Sequence, residues 1–485
     1  MYSLLPLLCL VAPTFVAVLC LFTLPFDFLE SFYSRIEKES LILGTGLTLV
    51  IVMAMVPDAL AGMVLETPLL ALRFDLTNAA GLLGVAVIFF LTSIYNIKSE
   101  TGGRLKPSMY NFFVLLFQVC MLGLLLSFDL FYIFVFVELT IGVSIVLVAH
   151  SRNRLASESS YKYLIITAIS ALFVLFAVLV VYVLTGNSNL LALEGGLGVI
   201  QENPQLVALL AACFIIGLGA DIGLVPFHGW VPDVFPASTP AVNGFFCAEP
   251  IAFILALYKL VKPFHHALDS NLIMVMYLGV GAASILFGAL MAFSQRDFMR
   301  MMAYTSIEGF GHMLLALSLF TPLGFVAGTV YIVNGALMKM GVLLCLGSVS
   351  IMYGTNDMDA LGGLVRRMRK VALIYVVCVL SVAGVPPLSG FYSKWLLLSA
   401  VNEYLLPHGT MVTVLVLGAF VSVSMVSAVY LIRSFQWIFL GRDRDEQKIV
   451  SRVPWAMWLP PALVALLAVL IGLQPWLLLN LIGVS

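Results

Sequence analysis

The sequence predicts an all-α polytopic membrane protein. Of its 485 residues, 62% are hydrophobic and only 10% are charged, whereas soluble proteins carry about 25% charged residues. The mean hydropathy is +1.10. Apolar runs near the length that crosses a bilayer recur along the whole chain, without a gap large enough for a soluble domain, and they predict about 14 transmembrane helices.

One segment, 59–76, does not fit this pattern. Thr67, Pro68, Arg73 and Asp75 interrupt its apolar residues, so we expect a surface hairpin or an interfacial segment there. The N-terminus lacks a basic stretch and a small-residue cleavage site, which favours a retained first helix over a signal peptide.

Redox and nucleotide chemistry have no signature in the chain. The seven cysteines fall in apolar runs without a Cys-x-x-Cys spacing, which is typical of packing residues. A phosphate-binding loop and a dinucleotide fingerprint are also missing from the sequence. We therefore expect no catalytic residue, no cofactor, no dedicated metal site and no nucleic-acid partner.

The basic residues predict the orientation of the chain. Most of the 24 lysines and arginines fall in one alternate set of loops, such as the run Arg366 to Lys370. By the positive-inside rule these loops lie in the cytoplasm and both termini lie outside. We expect a multi-pass protein of the cytoplasmic membrane of a bacterium or archaeon, with lipid as a further partner.

Two apolar runs, 205–230 and 371–403, contain nearly the same interruption. Residues 223–230 read GLVPFHGW and residues 384–391 read GVPPLSGF. Proline removes a backbone donor and glycine loosens the chain, which bilayers tolerate where the freed backbone lines a cavity. Breaks at matching points of two halves indicate an inverted-repeat transporter. The residues of the two breaks are Gly223, Pro226, Gly384, Pro386, Pro387 and Gly390.

Ionisable side chains lie inside several apolar runs. A charge near mid-bilayer costs about 2.5–3.5 kcal/mol on insertion scales, so such residues are expected to have a function. Acids, lysines and histidines can each pass a proton to a neighbour through a few waters, and together they predict a proton relay. The candidate residues are Glu138, Asp221, His228, Glu249, Glu308, His312, Lys339 and Lys394.

Three motifs carry a resemblance to a known family. HGWVPDVFPASTP, FSQRDFMRMMAYTSIEGFGHM and VAGVPPLSGFYSKWLLLSA resemble the antiporter-like subunits shared by respiratory complex I, Mrp-type Na⁺/H⁺ antiporters and energy-converting membrane-bound hydrogenases. The resemblance runs over nearly the whole chain. It implies two inverted five-helix repeats, helices 4–8 and 9–13, with helices 7 and 12 broken. The implied divisions are 1–108 for helices 1–3, 109–262 for the first repeat, 263–440 for the second and 441–485 for helix 14.

The residues match this family unevenly. Glu138 fits the acid of the fifth helix, Lys339 the central lysine of the eleventh and Lys394 the terminal lysine of the twelfth. Asp221 stands where the seventh helix usually has a lysine, and the lysine expected near Ala252 is absent, with Glu249 one turn earlier.

The acids of the first half leave two interpretations open. Glu138 and Asp221 could share a proton or hold Na⁺, or this half has lost transport and is a scaffold. The resemblance implies a proton-translocating subunit of a complex I-related assembly of the membrane-bound hydrogenase type, with cofactor-bearing redox subunits among its partners. The alternatives are an Mrp-type Na⁺/H⁺ antiporter subunit and a non-pumping membrane scaffold.

Overall fold

The computed structural model describes residues 3–22, 30–99, 103–268, 271–442 and 452–480. They form an almost entirely helical chain with one small hairpin. The α-helices are α1 (Leu5–Phe22), α2 (Glu30–Leu60), α3 (Leu76–Ser99), α4 (Pro107–Leu126), α5 (Leu130–Ala149), α6 (Arg154–Thr185), α7 (Leu190–Glu194), α8 (Pro204–Ile222), α9 (Val231–Ala237), α10 (Pro240–Phe246), α11 (Glu249–Ala267), α12 (Leu272–Ser294), α13 (Phe298–Leu317), α14 (Pro322–Tyr353), α15 (Arg369–Ala383), α16 (Ser389–Leu405), α17 (Thr410–Phe435), α18 (Trp455–Leu473) and α19 (Trp476–Asn480).

The all-α membrane architecture is confirmed. Eleven helical stretches among the described residues are long and apolar enough to cross a membrane, fewer than the 14 crossings predicted. The difference has physical reasons. The predicted run 371–403 divides into α15 and α16, each too short to span alone, and α13 carries Arg300, Glu308 and His312 among its apolar residues. The apolar part of α1 is a shorter helix of Leu5–Leu21.

Within the segment 59–76, residues 65–74 form a hairpin, the first of the two predicted alternatives. Strands β1 (Leu65–Thr67) and β2 (Leu72–Phe74) pair antiparallel. Leu70 and Ala71 adopt positive φ in the connecting turn.

The two interruptions have the same local conformation. Gly223 ends α8 at φ 88°, ψ 36°, and Gly384 ends α15 at φ 85°, ψ 36°. In each case the next residue donates a backbone hydrogen bond to the carbonyl five residues earlier, and a cis X-Pro bond follows at Pro226 or Pro387. The helical chain thus stops at matching points of the two octets.

The N-terminal caps of α5 and α13 also match each other. Asp129 caps α5 and Asp297 caps α13, each through its side chain and two backbone N–H groups. Asp129 also pairs as an antiparallel bridge with Asn189, and Asp297 pairs in the same way with Asp357. These matching caps and bridges are a further similarity between the two halves. The inverted repeat and the division of the chain into 1–108, 109–262, 263–440 and 441–485 stay predictions.

The predicted eighth helix, 239–261, has an irregular turn within it. Helix α10 ends at Phe246 and α11 begins at Glu249, with Cys247 and Ala248 between them. Pro250 lacks the N–H group that would continue the helical hydrogen bonds. The interrupted stretch is the most buried of the candidate spans, at 89%, so Glu249 enters the protein interior at a kink.

Candidate functional site

Three of the four predicted residues of the first half form an acidic cluster, defined as Glu138, Asp221 and Glu249. They come from α5, the end of α8 and the start of α11. Asp221 is fully buried and Glu249 is 5% exposed. Asp221 lies within electrostatic range of both other carboxylates. The structure therefore brings together the acids that the sequence could not place relative to one another.

Hydroxyl groups of α5 and α6 hold the acidic cluster. Ser170 donates to Asp221, and Tyr163 donates to Glu249 at 3.2 Å. The Tyr163 hydroxyl in turn accepts a hydrogen bond from Ser144 at 3.0 Å. Asp221 and Glu249 are thus held by neutral donors, and none of the three acids takes part in an ion pair among the described residues.

Two oxygens of this cluster are left without a hydrogen-bond partner. They are Asp221 Oδ2 and Glu138 Oε1, both buried. An unpartnered buried carboxylate oxygen is costly unless a proton, a water or a cation reaches it. The described residues contain no group of three or more metal-ligating side chains, so a Na⁺ ion here would depend on two carboxylates with backbone or water oxygens.

The second half contains a lysine cluster, defined as Lys339 of α14 and Lys394 of α16. Both are buried. Lys339 donates to the carbonyl of Ser306 at 3.4 Å, and Lys394 donates to the carbonyl of Ala383 at 3.1 Å, beside the helix break. The two side chains line one cavity of about 30 Å³, which is large enough for a water molecule.

Glu308 lies near the lysine cluster but is held by α17. Its carboxylate accepts hydrogen bonds from Ser427 and from Tyr430, the latter at 2.7 Å. It interacts electrostatically with both Lys339 and Lys394. Burial in a medium of low dielectric strengthens such interactions.

His312 contacts the backbone of Glu308 and not its carboxylate. Its Nδ1 contacts the backbone carbonyl of Glu308 at 3.0 Å. The ring lies 4.8 Å from Phe420 and 5.6 Å from Tyr331, and Nε2 is buried without a hydrogen-bond partner. Tyr331 also lines the cavity between the two lysines.

His228 is set apart from both clusters. It lies in the 3₁₀ turn His228–Trp230 after the first break, and its ring packs 4.3 Å from that of Phe287. The hydrogen bonds of the described residues do not connect it to the acids or the lysines.

The kink between α10 and α11 lies beside the lysine cluster. Cys247, two residues before Glu249, lies within electrostatic range of Lys339. Each of the two clusters can hold protons and pass them through hydrogen-bonded side chains and water.

Sequence reasoning missed the hydroxyl residues of the site. Tyr163, Ser170, Ser427 and Tyr430 bind the acids, and the Asn334 side chain donates to Ser393 at the cavity. Their only signal is a polar residue inside an apolar run. That signal is weak, because serine hydroxyls in helices commonly bond their own backbone.

Comparison with known proteins agrees with this architecture. A family model described as "NADH:quinone oxidoreductase/Mrp antiporter, TM" matches residues 127–422. A protein of Desulforudis audaxviator, named as a subunit of NADH-quinone oxidoreductase, is 32% identical over 75% of this chain and 71% of its own. A protein of Alkalihalophilus pseudofirmus, named as a subunit of a Na⁺/H⁺ antiporter, is 26% identical over 81% of this chain and 77% of its own.

Solved structures extend the likeness over the whole chain. A chain of the membrane-bound sulfane sulfur reductase, an archaeal respiratory membrane complex, superposes with a TM-score of 0.83 at 26% identity, covering 99% of this chain and 96% of that one. A chain of the Mrp complex of Dietzia sp. has a TM-score of 0.85 at 24% identity, over 97% and 96% of the two chains, and shows the shared fold. This protein is thus a member of the transmembrane family of NADH:quinone oxidoreductase and Mrp antiporter subunits.

Proposed function

We propose that the chain is the proton-translocating, antiporter-like subunit of a complex I-related, energy-converting membrane assembly of the membrane-bound hydrogenase type. The observation that carries this proposal is the presence of buried ionisable side chains in both halves, Asp221 and Glu249 in the first and the lysine cluster in the second. Relatives named as subunits of a quinone oxidoreductase and of a Na⁺/H⁺ antiporter support it. The solved respiratory membrane complex of similar fold supports other membrane subunits as partners.

The second half supplies the clearest route for a proton. Lys339 and Lys394 line one cavity of about 30 Å³, so a single water can relay a proton between them. Glu308 balances part of their charge. A charge that arrives beside the first of these ionisable groups changes the proton affinity of the next group, and the proton then moves onward.

The first half is proposed to carry protons by a different arrangement. Neighbouring carboxylates repel when both are ionised, so they share a proton or hold a cation. Tyr163 and Ser170 offer hydroxyl groups beside Glu249 and Asp221. Asp221 and Glu138 each keep one unpartnered oxygen, which supports an ion-handling role over that of a plain scaffold.

The test is proton uptake by proteoliposomes that contain the intact complex, with sodium present or withheld. Asp221→Asn removes one charge with little change of shape, and Lys394→Met does the same in the second half. Asp359→Asn and Lys262→Met are matched controls, because these residues lie in exposed or half-exposed ion pairs with Arg296 and Glu194.

Each outcome decides between the interpretations of the two halves. If both site variants lose uptake while both controls keep it, both halves carry ions. If only Lys394→Met loses uptake, the first half is a scaffold. If neither variant changes uptake, the proposed function is wrong. A sodium requirement that disappears in Asp221→Asn assigns a cation to the acidic cluster.

A second candidate is an Mrp-type Na⁺/H⁺ antiporter subunit. The relative named for a Na⁺/H⁺ antiporter, which aligns over 81% of this chain, favours it. Purification of the native complex separates the two candidates, because only the first predicts cofactor-bearing redox subunits. We also propose that the basic loops face the cytoplasm and that both termini lie outside; residues 1–2 and 481–485 are outside the described part of the chain.

A further inference from the structure

An ionic contact on the protein surface joins the two halves of the chain. Asp233 of α9 uses one carboxylate oxygen for Lys162 of α6, at 2.9 Å, and the other for Arg300 of α13, at 2.8 Å. The side chains of the two cations are about half exposed, at 46% and 47%, and that of Asp233 is 23% exposed. A carboxylate that binds one cation with each oxygen fixes three helices relative to one another.

Trp230, which directly precedes α9, packs against one end of the acidic cluster. Tyr163, the residue after Lys162, stacks on Trp230 with ring centroids 4.1 Å apart. Trp230, just before α9, also donates to the carbonyl of Ala220 at 2.9 Å. Tyr163 is fully buried and Trp230 is 3% exposed, and Tyr163 donates to Glu249. The half-exposed Lys162 and the buried Tyr163, which contacts Glu249, are therefore neighbours in the sequence of α6.

Helix α9 depends on side-chain contacts for its position. It has seven residues, and Pro232 and Pro236 remove two backbone donors from them. The break at residues 223–230 separates it from α8. Further contacts hold it, since Ser159 donates to the carbonyl of Asp233 at 3.1 Å. Segments that depend on few contacts are the ones that open locally in proteins.

We propose that Asp233, Lys162 and Arg300 form a latch that holds α9 and Trp230 over the Tyr163–Glu249 end of the acidic cluster and keeps water out of it. Arg300 lies on α13, the helix that carries Glu308, so the second half contributes to closing the first. Asp233 is a positioning residue in this scheme. The inference rests on the proposed function, because it assigns the boundary of a proton path.

The experiment measures two properties of the full chain in its native complex, reconstituted in liposomes without an electron donor. One is amide hydrogen exchange in residues 228–237, and the other is passive proton leak under an imposed pH gradient. Asp233→Asn is the principal variant, because an amide presents an N–H group to one of the two cations. Arg300→Gln removes the contact with the second half.

Glu158→Gln is the matched control. Glu158 also pairs with Lys162, at 2.9 Å, but it is no part of the latch. We expect Asp233→Asn and Arg300→Gln to raise both exchange and leak by about two- to fivefold, since each lost ion pair of this exposure is worth a modest amount. Glu158→Gln should leave both near wild type, and Asp233→Glu should restore much of the closure.

Two results would overturn the latch. One is unchanged exchange in Asp233→Asn, and the other is faster exchange without any leak, which would make the contact a structural tie alone. Neither readout needs turnover. A wild-type complex that pumps no protons would therefore contradict the proposed function while the latch is still judged by exchange and leak.

Discussion

Replacing Gly309 by alanine should displace the Lys339 ammonium without removing its charge. A methyl group on Gly309 of α13 would overlap the Lys339 Nζ atom and lie 3.2 Å from its Cε. Non-bonded contacts are most favourable at about 3.5–4.0 Å, so the end of the lysine has to move by about 1 Å. The obstacle is the tip of a flexible side chain, so the two helices can keep their positions.

The consequence for transport follows from what Lys339 contacts. Its hydrogen bond to the Ser306 carbonyl is already long, at 3.4 Å, and its ammonium lies 5.0 Å from the Phe310 ring centroid. A displacement of about 1 Å in a reacting group can cost up to about 100-fold in rate. We expect proton uptake to fall at least about tenfold, while stability changes by less than about 1 kcal/mol because alanine favours a helix over glycine.

The assay is proton uptake by the reconstituted complex, together with its thermal unfolding. Gly279→Ala on α12 is the matched control, because a methyl group there meets no atom within 4 Å. Wild-type uptake in a folded Gly309→Ala complex would refute the reasoning, since the proton would then not depend on the position of the Lys339 ammonium. Equal losses in both variants would also refute it.

Three further substitutions test the neutral donors and one helix cap. Tyr163→Phe removes the hydroxyl that donates to Glu249 but keeps the ring, so uptake should fall severalfold and stability by about 1 kcal/mol; unchanged uptake would exclude the hydroxyl from the path. Tyr430→Phe removes a hydrogen-bond donor from Glu308. Proton uptake should fall, and the free energy of unfolding should drop by about 1 kcal/mol, as for Tyr163→Phe. Asp297→Ala removes the cap of α13 and should lower the unfolding free energy by about 1 kcal/mol, measured by thermal unfolding; no shift would contradict the capping role.

Composition and proline placement predicted much of the fold. A chain this apolar must satisfy its backbone internally, which leaves helices as the main solution, and Thr67 with Pro68 marked the hairpin correctly. Gly223 and Gly384 adopt the left-handed conformation that glycine permits. The kink before Glu249 was less visible, because Pro250 stands at the first turn of α11, where proline is tolerated.

Contacts across helices were harder to predict than positions along them. Glu308 and His312 stand four residues apart and therefore lie on one face of α13, yet the carboxylate turns to Tyr430 and the imidazole to a backbone carbonyl. Side-chain direction depends on partners from other helices, which are distant in sequence. Asp233 is the clearest case, since its partner Arg300 is 67 residues away along the chain.

The two clusters carry opposite charges, so the electric field between them points from the lysine cluster to the acidic cluster. With all groups ionised, the first half presents three carboxylates, and the second presents two ammonium groups against Glu308 alone. Cys247 at the kink interacts with Lys339 and stands two residues before Glu249. Under the proposed function, a proton that leaves Lys339 towards the acidic cluster moves down the field, and the low dielectric of the interior makes that field strong. If the proposed function holds, moving the Lys339 ammonium by about 1 Å weakens this step first, which is why Gly309→Ala tests both clusters at once.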